Sequence, residues 1–235
     1  MIYNNIKKAK FINRPNRFIA NIEIGGKNEV CHVKNTGRCK EILTNEATVF
    51  VQEFDNPKRK TKFDLISAYK GSALINIDSQ APNKVFHEWI LNSGFFEDIT
   101  LIKPEYKYKN SRFDFYIETL KKKILVEVKG VTLEENGIVK FPDAPTLRGL
   151  KHINELISSI EDGYESYVFF VIQMKGVLYF TPNFETHKDF GDALILAKKM
   201  GVKIFAVDCE VTENSIEVIN FVDVKLKHAP TYHNL

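Results

Sequence analysis

Residues 111–130 read "SRFDFYIETLKKKILVEVKG", two apolar runs joined by a short basic turn. Their alternation of Phe, Tyr, Ile and Val with polar residues predicts two β-strands. Side chains alternate across a strand, so Arg112, Asp114 and Tyr116 share one face, and Phe113, Phe115 and Ile117 share the other. In the second strand Ile124, Val126 and Val128 form the apolar face, and Leu125, Glu127 and Lys129 point away from it. The connection "TLKKK" is short enough for a hairpin, so Asp114 and Glu127 are expected to meet across neighbouring strands. Two carboxylates held close repel and raise each other's pKa unless a cation lies between them. Such hard oxygens suit Mg²⁺ or Mn²⁺, with backbone carbonyls and water completing the shell. Lys129, one side chain along from Glu127, is placed to orient or deprotonate a water. The competing, purely structural reading is a cross-strand ion pair of either acid with Lys129.

Upstream of this hairpin, Lys10 to Ile77 reads as short strands punctuated by turn signals. "RFIANIEI" ends at Gly25-Gly26, and "EVCHVK", "ATVFVQEF", "KFDLISAY" and "SALINI" follow, with one short helical piece, "CKEILTN". About five strands at this spacing predict a small barrel of the oligonucleotide-binding (OB) type, with a sandwich as the alternative. The boundary falls in "DSQAPN", giving a barrel over residues 1–82 and a second domain over 83–235. There "KVFHEWILNSG" reads as a helix. Further strands alternate with a helix from about Pro145 to Ile160, striped by Leu147, Leu150, Ile153, Ile157 and Ile160, and with a helix in "GDALILAKKMG". This pattern predicts an α/β domain whose central sheet is covered on both faces.

The net charge is +3 over 235 residues, but its distribution is uneven. Residues 1–82 carry 14 Lys/Arg against 8 Asp/Glu, and residues 83–235 carry 19 against 22. A basic barrel favours a phosphate-backbone partner through counterion release. Arg14, Arg17, Lys34, Arg38, Lys58, Arg59, Lys60 and Lys62 supply that charge near Phe18 and Phe63, the combination of basic groove and aromatic stacking that holds nucleic acid strands. Solubilising surface charge is the bland alternative. Cys31, His32 and Cys39 lack the paired spacing of a zinc site, and three scattered cysteines form no disulfide framework, which suits a reducing compartment. No apolar stretch approaches the ~20 residues of a membrane helix and the start has no secretory pattern, so a cytoplasmic location is expected. A sugar-phosphate enzyme is disfavoured by the absence of a Gly-rich phosphate loop.

Asp114, twelve intervening residues and then Glu127-Val128-Lys129 across a hairpin resembles the metal site of the PD-(D/E)XK nuclease-like superfamily. That resemblance implies a metal held by Asp114, Glu127 and the Val128 carbonyl, and phosphodiester hydrolysis as the usual outcome. Pro142-Asp143 spells the signature dipeptide but follows the Glu-Val-Lys, so Asp114 takes the place of the first acid. "NTGRC", "RKTKFDL", "APNKV", "SRFDF", "VEVKGVTL" and "FPDAPTLRGLKHINEL", in order from about Asn13 to Asp208, are similar to the sugar fermentation stimulation protein A family. Lys34 stands where that family usually has Pro, and Cys39 where Met is common. The resemblance implies an OB-type barrel followed by a nuclease-like α/β domain with a mixed sheet, and DNA binding linked to control of sugar use. Glu88 sits where many relatives supply a further metal carboxylate, and Glu105, at the first strand of this domain, is a similar candidate. Arg112, Arg148, Lys151 and His152 are placed to meet phosphate, and Gln173 to line the same cleft. Two functions stay open: a metal-dependent nuclease, and a non-catalytic DNA-binding regulator of sugar-metabolism genes.

Overall fold

The structure, a computed structural model, describes residues 1–35 and 37–227. The first six strands are β1 (Ile6–Asn16), β2 (Ile19–Ile24), β3 (Lys27–Val33), β4 (Thr48–Glu53), β5 (Phe63–Lys70) and β6 (Ala73–Asn76). They run in the order β3-β2-β1-β4-β5-β6, and a parallel pairing of β3 with β5 closes five of them into a barrel. Closure decides against the sandwich. The β2–β3 hairpin turns on Gly25 and Gly26, whose φ of 58° and 76° suit a tight turn that side chains would strain. Ala20, Ile22, Cys31, Val33, Val49, Val51 and Leu65 fill the interior. β1 begins earlier than the alternation suggested, because exposed Lys7 interrupts the face that Ala9 and Phe11 bury. The expected helix in "CKEILTN" is instead a turn, with the amides of Ile42 and Leu43 both donating to the Cys39 carbonyl. Burial of Ile42 and Leu43 in the core overrides the weak helical pattern.

The chain continues through α1 (Ala81–Asn92), β7 (Ile99–Tyr108), β8 (Ser111–Thr119), β9 (Lys123–Val131), β10 (Leu133–Glu135), β11 (Ile138–Phe141) and α2 (Leu147–Glu161). It ends with β12 (Glu165–Ile172), β13 (Tyr179–Pro182), α3 (Lys188–Lys199), β14 (Lys203–Val211) and β15 (Ile216–Val222). The central sheet has the order β15-β14-β12-β9-β8-β7, with β9, β12 and β14 parallel and the outer pairings antiparallel. A small sheet, β10-β11-β13, lies beside it. The fold is therefore an OB barrel followed by an α/β domain with a mixed sheet.

Both faces of the central sheet are covered. Val85, Phe86 and Ile90 of α1 pack with Phe115, Val126 and Phe169. Ile153 and Leu156 of α2 and Phe190 and Leu194 of α3 pack with Leu125, Val168 and Phe170. Alternation in β8 fails at one place: Phe113 joins the α2 side, whereas Phe115 and Ile117 join the α1 side. No helix among the described residues is long and apolar enough to cross a membrane.

Candidate functional site

The β8–β9 ladder ends at Phe115↔Val126, so Asp114 and Glu127 stand opposite each other one step beyond the last pair. There β8 parts from β9, and the Asp114 carboxylate enters the gap. Its Oδ2 accepts the Val128 N–H at 2.7 Å, and its Oδ1 accepts from Asn83 Nδ2, in the first turn of α1, at 2.7 Å. The N–H and C=O of one strand residue point the same way, so the Val128 carbonyl also faces this gap.

Glu127 is only 2% exposed. Its Oε1 accepts from His152 Nδ1 at 2.6 Å and from the Lys129 ammonium. Its Oε2 is buried with no hydrogen-bond partner among the described residues. Burial pushes the Glu127 carboxyl up, but the Lys129 ammonium and the His152 hydrogen bond outweigh it and hold the group below the usual carboxylate range. Asp114 moves the other way: burial and then the charge of Glu127 raise it, against the Lys129 ammonium and its two hydrogen bonds. Two adjacent acids driven apart in this way share one electrostatic field.

These donors fit a hard divalent cation. An orphaned buried carboxylate oxygen costs about 1–3 kcal/mol, and an ion beside Asp114 would relieve it. Two carboxylates and a carbonyl leave room for several waters, as Mg²⁺ requires. No group of three His, Cys, Asp or Glu that could hold a metal occurs among the described residues, so a closed zinc-type cage is not what this site offers.

The other sequence candidates fall into three groups. Arg17, Arg38 and Arg148 are exposed; Arg17 lies over the ring of Phe18, itself 52% exposed, at 6.0 Å. Arg112 and Lys151 are also exposed but tethered, Arg112 to Glu105 at 3.2 Å and Lys151 to the Asn110 carbonyl at 2.7 Å. Arg14, Lys34, His152 and Glu88 are used elsewhere. Arg14 donates to the carbonyls of Arg17, Asn35, Gly37 and Arg38, so it organises a barrel loop instead of presenting a free guanidinium. Lys34 Nζ is 2.9 Å from Asp78 and 3.6 Å from Asp64, two buried acids that consume its charge. Glu88 pairs with the Met1 amino group at 2.5 Å, in a recess with Trp89 and Glu217 and apart from Asp114. The expected stripe of α2 is rotated: Leu147 is 78% exposed, whereas His152, Ile153, Leu156 and Ser159 are buried. His152 therefore faces Glu127 and not solvent.

Asn83 escaped sequence reasoning, because it lay in a stretch read as linker and only the register of α1 against β8 brings it to Asp114. Gln173 does approach the site. Its Nε2 donates to Asn76 Oδ1 and the Asp78 carbonyl, while a Cβ on Gly130 would lie 2.7 Å from its Oε1 and 2.6 Å from Pro82 Cγ. Gly130 is glycine because Pro82 of α1 and Gln173, just past β12, crowd the strand immediately after Lys129. Asp143, of the decoy dipeptide, accepts from the Arg38 amide at 3.3 Å and so ties the α/β domain to the barrel loop.

Residues 80–215 match the family model "Sugar fermentation stimulation protein RE domain", and residues 12–77 match "SfsA N-terminal OB domain". The sugar fermentation stimulation protein homolog of Clostridium beijerinckii is 67% identical over 96% of this chain and 100% of its own. The chain belongs to the sugar fermentation stimulation protein A family. A second family member, the homolog from Desulfitobacterium hafniense strain DSM 10664 / DCB-2, is 61% identical over 96% of this chain and 99% of its own. Among solved structures, Pyrococcus furiosus SfsA in complex with Ca²⁺ matches with a TM-score of 0.87 at 27% identity, over 96% of this chain and 98% of that one.

Proposed function

We propose that this protein is a cytoplasmic nucleic-acid-binding protein, with DNA as the expected partner, that hydrolyses phosphodiester bonds with Mg²⁺ or Mn²⁺ at a PD-(D/E)XK-type site. The barrel over residues 1–82 would grip the strand, and the α/β domain over 83–235 would carry the chemistry. The observation that carries this reading is the buried Oε2 of Glu127, without a hydrogen-bond partner among the described residues, within electrostatic reach of the Asp114 carboxylate. The Ca²⁺ complex of the Pyrococcus relative supports it, since Ca²⁺ and Mg²⁺ both take oxygen ligands.

Asp114, Glu127 and the Val128 carbonyl would hold the ion. When bound, it supplies Lewis acidity toward a phosphate oxygen and lowers the pKa of water. His152 fixes the Oε1 side of Glu127, which leaves Oε2 for the ion. Asn83 and the Val128 N–H fix both oxygens of Asp114 without supplying a cation. Lys129 orients the attacking water or stabilises charge developing on phosphate, and must leave Glu127 Oε1 to do so. Arg148 and Arg112 bind flanking phosphate oxygens.

The Lys129–Glu127 pair is also the one feature favouring the second reading, a DNA-binding regulator without catalysis, because it satisfies the ammonium in the absence of substrate. Incubating the protein with labelled single- and double-stranded DNA, with Mg²⁺, Mn²⁺ or chelator, separates the two. Cleavage abolished by Asp114→Asn and Lys129→Ala supports the hydrolase. Salt-sensitive binding without metal-dependent cleavage supports the regulator, and the absence of both sinks each reading.

A further inference from the structure

A cavity of about 910 Å³ lies away from the paired acids, between the small sheet, the end of α3 and the segment after β15. In the parallel β11–β13 pair, Ile138 aligns with Tyr179 and Lys140 with Thr181, so these four residues present one face to it. Ile138 and Tyr179 of that face and Ile195 of α3 make an apolar floor. The rim is different: Lys140, Lys198, Lys199, Lys225 and Lys227 line the cavity, and no acidic side chain does among the described residues.

Ordinary surface chemistry explains only part of this. Lys198 and Lys199 occupy the last turn of α3, where cations favour the helix dipole. Lys140 pairs with Glu135 at 2.7 Å. Lys225 and Lys227 come from a separate segment, and Lys225 lies over the Tyr179 ring at 3.7 Å, which holds its ammonium above the apolar floor. The reversal of sign is local, since residues 83–235 carry 19 basic against 22 acidic side chains. Lys140 also lines a smaller cavity of about 170 Å³ that reaches Gly130, the neighbour of Lys129.

We infer that this cavity holds a single strand of nucleic acid beyond the paired acids, with phosphates on the lysine rim and unstacked bases on the Ile138–Tyr179–Ile195 floor. A duplex offers phosphates but keeps its bases stacked, so it cannot use the floor; a single strand uses both parts. This rests on the nucleic-acid reading above and names the form of the ligand and where it runs.

The test uses the full chain in chelator, with anisotropy of a labelled oligothymidylate and of a labelled duplex measured across a range of NaCl concentrations. Each phosphate contact contributes about 0.7 to the slope of log K against log salt for a single strand. A variant with Lys198→Ala, Lys199→Ala and Lys225→Ala should lose about 2 from that slope and bind at least about tenfold more weakly near 0.1 M salt. These three side chains are exposed, so the fold is not at stake, and an unchanged Tm checks it. Lys121→Ala, Lys122→Ala and Lys123→Ala remove the same charge from the β8–β9 turn, at the far end of β9 from Lys129, and should leave the slope unchanged. An unaltered slope in the cavity variant, an equal loss in the turn variant, or duplex binding with the same affinity and the same loss would overturn the inference. A wild-type protein that binds neither form removes the nucleic-acid reading as well; one that binds while the cavity variant is unaffected removes the cavity alone.

Discussion

Lys129→Met tests the core of the site, because it keeps the stem of the side chain and removes the ammonium. The side chains of Lys129 and Glu127 are 16% and 3% exposed, so solvent screens the pair little. Removing one partner of a buried pair costs about 3–5 kcal/mol, chiefly by stranding the other charge. His152 remains on the same oxygen, so we expect the lower end, about 3 kcal/mol. For a chain of this size that is a fall in Tm of roughly 6–12 °C. The divalent ion adds a second expectation. Saturating Ca²⁺, at about a hundred times its Kd, stabilises a folded binder by about 2.7 kcal/mol. In the variant the ion takes over neutralisation of Glu127, whereas in the wild type it shares the carboxylate with an ammonium. Thermal melts at neutral pH, in chelator and in Ca²⁺, should therefore show a gap that narrows when the ion is added. A variant within about 2 °C of wild type in chelator would show that the ammonium does not stabilise Glu127. A gap of the same width in Ca²⁺ would show that the ion does not bind there.

The two acids should titrate stability in opposite senses. Asp114 is raised above its ordinary 3.8, so the folded state holds that proton more tightly, and wild-type stability falls as pH rises through the window above 3.8. Asp114→Asn lacks that loss, and its stability relative to wild type, read from urea melts in chelator, should grow between acid and neutral pH. Glu127 is lowered from 4.5, so its contribution is complete above 4.5 and disappears as pH falls through the folded value; Glu127→Gln should flatten that part of the acid limb. Arg14→Ala should cost about 2 kcal/mol and expose the amides around residue 37 to hydrogen exchange, since four carbonyls lose a charged donor. Phe18→Ala should leave Tm unchanged yet weaken single-strand binding by about 1–3 kcal/mol, the worth of one stacked base. Lys34→Met should lower stability by about 3 kcal/mol through Asp78, and a barrel variant that loses DNA binding with no loss of Tm would contradict that assignment.

The hairpin that brings Asp114 near Glu127 was legible from its short turn, but strict alternation did not foresee that the ladder stops at Phe115↔Val126 and that Phe113 turns to the opposite face from Phe115. The barrel strands were legible from period-2 alternation and short turns. Roles that depend on long-range packing were not. Arg14 and Lys34 carry the same charge as Arg17 and Arg38, and only the fold distinguishes a loop clamp or a buried counterion from an exposed cation. His152 was placed off the apolar stripe because Leu147 and Leu150 look like core; the sheet instead takes the face containing His152, where Glu127 supplies the partner a buried imidazole needs. The β10–β11 hairpin, with strands of three and four residues, is too short for any period to register, yet it supplies one wall of the lysine-rimmed cavity.

Tyr3, Asn76, Asp78 and Gln173, with the partly buried Lys34, form one polar cluster that joins the barrel to the segment just past β12. Swinging the barrel outward would break several of these hydrogen bonds and the Lys34–Asp78 pair at once. The two parts are thus locked in one relative setting and behave as a caliper. If the proposed function holds, a strand seated on Phe18 would be offered to the paired acids at a fixed span, and any cut would fall a set number of nucleotides from the point of grip.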